Sequence, residues 1–263
     1  MIEHGQSAKR VRSKQGFLGA QSIIRIIEEV ERQIDVDAAN QLLSEARFDR
    51  IPAWDEPVPE GRVAALHQAI RRRHPEAAER ICRNAGRATT DYLLSNRIPV
   101  RAQELLIKAP PAVAMWLVTR SAMVNARHFG GSGEFIIQTS TVFDLRFNPV
   151  LLGETAASPV CHYHAAAFER MYQRLVDPEM ICRETACEAM GDDACRFEVS
   201  RPAGDVAATS CMIIGLFLEQ FRFSAMPFLK HFDVAKVVQR LDVGFIRPEA
   251  TGIEGNSSQS GKS

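Results

Sequence analysis

Residues 179–199 read EMICRETACEAMGDDACRFEV, and this run decides the fold. Glu179 to Cys187 and Ala194 to Val199 read as strands, and Met190-Gly191-Asp192-Asp193 between them has good turn chemistry. The pattern predicts a β-hairpin. It brings Cys187 and Cys195 near each other across the turn, with Glu184 three residues before Cys187.

Working outward, Cys161 to Val176 reads as a helix with Phe168, Met171, Tyr172 and Leu175 on one stripe. Before it, Glu134 to Thr139 and Val142 to Phe147 are rich in β-branched and aromatic residues, a second strand pair stopped by Asn148-Pro149. Ala112 to Phe129 reads as one helix, with Val113, Trp116, Leu117 and Val124 on its apolar face and Arg120 and Arg127 on its polar face. The cluster Gly130-Gly131-Ser132-Gly133 ends it. From Gly16 to about Thr119 the period is helical: Ile23, Ile26, Ile27 and Val30, then Val63, Leu66 and Ile70. Prolines at 52, 57, 59, 75, 99, 110 and 111 divide this region into several helices.

Strands joined as hairpins favour an antiparallel sheet with helices packed on it. The expected class is α+β: N-terminal helices on a small antiparallel sheet of about four strands, then a C-terminal helix. The expected organisation is a disordered tail (1–15), a helical region (16–129), a strand pair–helix–strand pair core (130–200), a helical extension (201–248) and a second disordered tail (249–263). Within the extension, Ser210 to Leu229 reads as a helix with broad apolar faces carrying Ile213, Ile214, Phe217, Phe221, Phe228 and Leu229.

Bulk properties remove some functions. The 263 residues carry 32 basic and 32 acidic side chains, so the basic excess of a nucleic-acid binder is missing. Arg71-Arg72-Arg73 lies on a predicted helix and reads as a solvated face. The most apolar run, Cys211 to Leu229, is interrupted by Glu219, Gln220 and Arg222, which disfavours a membrane span. A cytoplasmic protein is expected, with contact at the periphery of a membrane as an option. In a reducing compartment the six cysteines are not a disulfide framework.

Four residues carry candidate chemistry: Cys161, Glu184, Cys187 and Cys195. If the start of the 161–176 helix packs over the hairpin end, three thiolates and a carboxylate meet. Soft sulfur donors in a closed set of four suit a structural zinc. The same residues also fit ordinary buried cysteines, which behave as small apolar side chains. Cys82, Cys182 and Cys211 read as core.

The segments Cys161-His-Tyr-His-Ala-Ala-Ala-Phe-Glu-Arg170 and Cys187-Glu-Ala-Met-Gly-Asp-Asp-Ala-Cys195-Arg-Phe197 resemble the 4-vinyl-reductase, or hydrocarbon-binding, domain. Asp91-Tyr-Leu-Leu-Ser-Asn-Arg-Ile-Pro99 and Gly131-Ser-Gly-Glu-Phe135 are similar to one subgroup, the bacteriochlorophyll 4-vinyl reductase family of purple phototrophic bacteria. The resemblance runs from about Gly16 to Val199. It implies a zinc site at Cys161, Glu184, Cys187 and Cys195, since related sensor domains of phenol-responsive regulators bind zinc with a similarly spaced set. It also implies a fold shared with vesicle-tethering subunits, a tendency to dimerise, and a role in reducing the 4(8)-vinyl group of a chlorophyllide precursor beside other bacteriochlorophyll-pathway enzymes.

Vinyl reduction needs an electron source, usually a nicotinamide, flavin or iron–sulfur group. Gly16-Phe-Leu-Gly-Ala-Gln21 follows a polar tail and has no strand before it, and Gly130-Gly-Ser-Gly133 leads into a strand, so neither reads as a dinucleotide loop. Adding Cys182 to the cysteine set matches no common iron–sulfur spacing. A binding role asks for less: a flat apolar cleft, a few polar anchors, and an axial ligand for a magnesium porphyrin or chlorophyllide. Trp116, Phe129, Phe135, Phe143, Phe168 and Tyr172 are candidate walls, His128 and His164 candidate axial ligands, and Arg127 and Arg170 candidate carboxylate partners. Three readings result: a tetrapyrrole-binding carrier, a true reductase fed by an external reductant, or an interaction module that binds no pigment.

Overall fold

In the computed structural model, residues 16–202 are described, with the side chains of Arg127 and His128 outside that description. The two expected tails and the helix expected at 210–229 also lie outside the described residues.

The N-terminal half is built from helices whose periodicity is plain. Helix α1 (Gln21–Gln33) buries Ile23, Ile24, Ile26, Ile27 and Val30. Helix α2 (Val36–Glu45) is capped by Asp35, whose carboxylate accepts the Ala38 N–H at 2.7 Å. Helix α3 (Glu60–Arg73) buries Val63, Leu66 and Ile70, and α4 (Pro75–Asn96) starts on a proline whose missing N–H costs nothing in the first turn. Proline also precedes α5 (Val100–Lys108) and opens α6 (Pro111–Val124), as expected of helix breakers between short helices.

Three features depart from expectation here. Phe17–Gly19 (β1) and Pro57–Pro59 (β2) form a small antiparallel pair inside the region read as helical, with Leu18 opposite Val58. The helix expected at 112–129 is broken: Asn125 closes α6, its side-chain amide donating to the Ser121 carbonyl at 2.8 Å, and a short helix α7 (Arg127–Gly130) follows. The apolar face expected on that helix also points the other way. Val113, Trp116 and Val124 are exposed, while Ala114, Val118 and Thr119 face the protein. The reason is Thr119, whose hydroxyl donates to the Ser140 carbonyl at 2.7 Å and meets the Tyr172 hydroxyl, fixing a face of small residues against the body.

The second half is a four-stranded antiparallel sheet. Strands β3 (Glu134–Ile137) and β4 (Val142–Arg146) form one hairpin, and β5 (Ile181–Ala186) and β6 (Cys195–Ser200) the other, in the order β3-β4-β6-β5. Helix α8 (His162–Leu175) connects the hairpins and packs on the sheet with Phe168, Tyr172 and Leu175 buried. Strand β6 alternates strictly, with Cys195, Phe197 and Val199 inward.

The two halves meet where α4 lies on α8. A Cβ at Gly86 would come within 2.2 Å of the Tyr163 carbonyl, so only glycine permits this approach. Beside it, Arg83 and Arg87 donate to the buried carboxylate of Glu169 at 2.9 and 3.1 Å.

Candidate metal centre

Strand periodicity alone would separate Glu184 from Cys187. Residues an odd number apart on a regular strand face opposite sides of the sheet. A bulge removes the conflict: Glu184 lies opposite Phe197, whereas Ala186 lies opposite Arg196, so β5 carries one extra residue there. Glu184 and Cys187 therefore share the face on which Cys195 lies. Gly191, with φ of 99°, makes the turn that returns the chain to β6. Asp192 reinforces it by accepting the Cys187 N–H at 2.8 Å.

Cys161 arrives from the other side, as the residue that starts α8. Its backbone N–H donates to Glu184 Oε2 at 2.7 Å, and its sulfur lies 3.5 Å from that of Cys195. One ligand atom from each of Cys161, Glu184, Cys187 and Cys195 lies within 4.8 Å of the others, and the three cysteines are buried. Thiolates bound at about 2.3 Å around a tetrahedral zinc sit about 3.8 Å apart, so the spacing suits such an ion. Among the described residues, Glu184 Oε1 is buried with no hydrogen-bond partner, as a carboxylate oxygen free to ligate would be. These four residues could hold a metal.

The electrostatics point the same way. Burial pushes the Cys161 thiol well up, and burial with the neighbouring Cys187 raises the Glu184 carboxyl to about 8. Cys187 is pulled down, because the thiols of Cys161 and Cys195 donate to its sulfur. Cys161 also lowers Cys195, but Cys187 and burial outweigh that and raise it. Four groups thus share one negative charge, and a divalent cation would offset the others as they deprotonate.

Asn148 also belongs to the site, and sequence reading took it only as a strand stop. Its side-chain amide donates to the Cys161 sulfur at 3.2 Å and to the Cys195 sulfur at 3.5 Å. Glu188 holds it there by accepting the backbone N–H groups of Phe147 and Asn148 at 2.5 and 2.7 Å. Nothing in an Asn-Pro pair signals this role.

The expected pigment walls fall into three groups. Phe135, Phe143 and Phe168 come together with Phe129 and Phe197, their ring centroids 4.7 Å apart for Phe143–Phe168 and 5.4 Å for Phe129–Phe168. His164 joins them, its Nε2 3.2 Å from the Phe129 carbonyl and its buried Nδ1 without a partner among the described residues. Burial pushes its imidazole down to about 4. Tyr172 is buried nearby but turns its hydroxyl to Thr119 and Ser140. Trp116 stands apart, exposed beside Arg120. His128 and Arg127 carry side chains outside the described residues, and Arg170 is engaged by Asp91 at 2.9 Å.

The open cleft expected between these walls is filled by the walls themselves, because the phenylalanine rings interlock edge to face. Surface depressions of about 450 and 290 Å³ lie elsewhere, around Arg47 and Arg62 and around Arg80 and Arg83. Among the described residues no helix is long and apolar enough to cross a membrane.

Residues 142–201, which carry the cysteine set and α8, match the 4-vinyl-reductase domain. The bacteriochlorophyll synthase 23 kDa chain of Cereibacter sphaeroides is 39% identical over 184 residues, covering 69% of this chain and 89% of the relative. The chain belongs to this family. A second member, the bacteriochlorophyll synthase 23 kDa chain of Rhodobacter capsulatus, is 32% identical over 193 residues, 73% of this chain and 90% of the relative. The fold itself reaches further than the family. A mutant Fe(II) unliganded H-NOX protein from K. algicida superposes with a TM-score of 0.50 at 8% identity, over 72% of this chain and 98% of that one.

Proposed function

We propose that this chain serves bacteriochlorophyll biosynthesis by binding a vinyl-bearing tetrapyrrole, a magnesium porphyrin or chlorophyllide, and presenting it for reduction of its 4(8)-vinyl group. The family relationship supports the pathway. The observation that carries the binding role is the aromatic cluster with His164 at its edge, a buried imidazole with an unpartnered nitrogen among five phenylalanines. A neutral imidazole is the form that ligates a metal, and burial keeps His164 neutral at physiological pH.

Entry of a macrocycle requires the cover of this cluster to move. That cover is α5–α6, and α5 has no buried residue. A helix that buries little is cheap to displace. Phe135, Phe143, Phe168 and Tyr172 would then line one side of the pigment, with Trp116 reached only if α6 turns. His128 is a second candidate ligand. Cys161, Glu184, Cys187 and Cys195 hold a structural zinc in this reading, pinning the start of α8 to the hairpin; all four positions are filled by protein, so the ion has no open site for substrate. The electrons come from a partner enzyme of the pathway.

The experiment is direct. Purified chain is mixed with divinyl chlorophyllide, and the pigment spectrum is followed with and without NADPH or reduced ferredoxin. The expected result is a shifted absorbance with no conversion of vinyl to ethyl. Conversion by the chain alone would make it a reductase, and an unchanged spectrum would leave an interaction module.

A further inference from the structure

Helices α5 and α6 present an apolar surface to solvent. Val100, Leu105, Ile107, Val113, Trp116 and Val124 are 67, 68, 59, 47, 39 and 50% exposed. On α6, residues 113, 116, 120 and 124 form one stripe at helical spacing, and its one charged member, Arg120, is the only charge on that helix. A contiguous patch of this kind marks a surface that something covers.

We infer that the chain's own segment Cys211–Leu229 covers it. The exit point of the described chain supports this. The Val199 N–H donates to the Thr141 carbonyl at 2.8 Å, and the adjacent Ser140 carbonyl accepts the Thr119 hydroxyl of α6 at 2.7 Å. The end of β6 is thus stitched to the middle of α6 through one turn. Residues 203–210 separate Pro202 from Cys211, an extended reach of about 30 Å, enough to arrive anywhere on the α5–α6 face.

The segment needs such a face. Residues 211–229 read CMIIGLFLEQFRFSAMPFL, with one acidic residue, Glu219, near the middle. As a helix it would be about 28 Å long, against about 21 Å for α6, so the two can lie side by side. Ile213, Ile214, Phe217 and Phe221 share one face at helical spacing and meet Val113 and Trp116, while Glu219 is available to Arg120. A tethered segment also docks without the loss of translational freedom that a separate partner incurs.

The test uses the full chain with Trp54→Phe, which leaves Trp116 as its one tryptophan. Docking predicts that Trp116 is shielded from acrylamide, and that Phe217→Asp with Phe221→Asp raises its quenching constant severalfold. Val113→Asp, a change at an exposed site, releases the segment from the opposite side and speeds hydrogen exchange within 211–229 while leaving that of α3 unchanged. Equal quenching before and after the aspartate substitutions overturns the inference. So does shielding that disappears on dilution, which indicates a second copy. Shielding that appears only with phosphatidylglycerol–phosphatidylcholine vesicles overturns it too, in favour of a lipid surface.

Discussion

The two cores of this protein are built from different materials. The first, under α1 to α4, is aliphatic: Ile23, Ile26, Ile27, Leu42, Leu66, Ile70 and Ile81 are all fully buried. The second, between α8 and the sheet, holds Phe135, Phe143, Phe168, Phe197 and Tyr172, together with Cys161, Cys182, Cys187 and Cys195. Branched aliphatic side chains lock into one arrangement and offer no chemistry. Aromatic rings and thiols offer stacking faces and ligand atoms, but their packing depends on a charge-bearing cluster being satisfied. One core carries stability outright, and the other carries a site whose stability is conditional.

The largest expected effect exploits that condition. Cys187→Ser, or exhaustive chelation of the native protein, should empty the metal site and destabilise the second core by about 4 kcal/mol or more, because buried ionised ligands lose the cation that neutralises them. Leu66→Ala should cost about 3 kcal/mol through a cavity in the first core and leave metal content unchanged. Metal analysis with denaturant midpoints on both variants checks the pair. Equal metal content in wild type and Cys187→Ser, with no change in midpoint, would remove the distinction between the cores.

The same contrast explains what could be read from the residues alone. The hairpin over 179–199 and helix α8 were legible because alternation, turn chemistry and a 3.6-residue stripe agree there. Meeting of Cys161, Glu184, Cys187 and Cys195 was expected from the hairpin, yet the bulge that turns Glu184 to the cysteine face leaves no mark in composition. Asn148 was missed because its task is tertiary. β1 and β2 are three residues each, with two prolines in β2, too short for any period to show. The orientation of α6 misled for a physical reason: two hydrogen bonds from Thr119 outweighed the preference of Trp116 and Val113 for the interior.

A middle-sized effect tests whether the second core is sensitive to acid through His164. Its folded pKa of about 4 lies below the ordinary histidine value of 6.5, because burial disfavours the imidazolium. The unfolded chain therefore binds the proton more readily between these values. Stability from this source is complete above pH 6.5, falls as the pH drops, and is exhausted near pH 4, a span on the order of 3 kcal/mol. His67 in the first core is shifted in the same direction, also by burial first. Denaturant midpoints at about pH 8 and pH 5, on either side of the histidine range, should therefore differ less in His164→Gln than in the wild type. An unchanged pH difference would show that His164 is not what senses acid.

The smallest effect is expected where the first core meets solvent. Trp54 stacks on Tyr92 with centroids 5.2 Å apart and planes 18° from parallel, and the Arg25 guanidinium lies 4.7 Å from the Trp54 ring. The tryptophan is 45% exposed, so its removal uncovers little buried surface. What is lost is one stack and one cation–π contact, about 1 kcal/mol together. Trp54→Ala should lower the denaturant midpoint by that much while leaving metal content and pigment absorbance unchanged. The reason lies in the join between the halves: α4 meets α8 through the backbone contact at Gly86 and the buried Glu169 pairs, whereas Tyr92 lies beyond them toward the end of α4. A fall in metal content or a lost pigment shift in this variant would mean that strain in the first core reaches the second through α4, and the two regions would have to be treated as one.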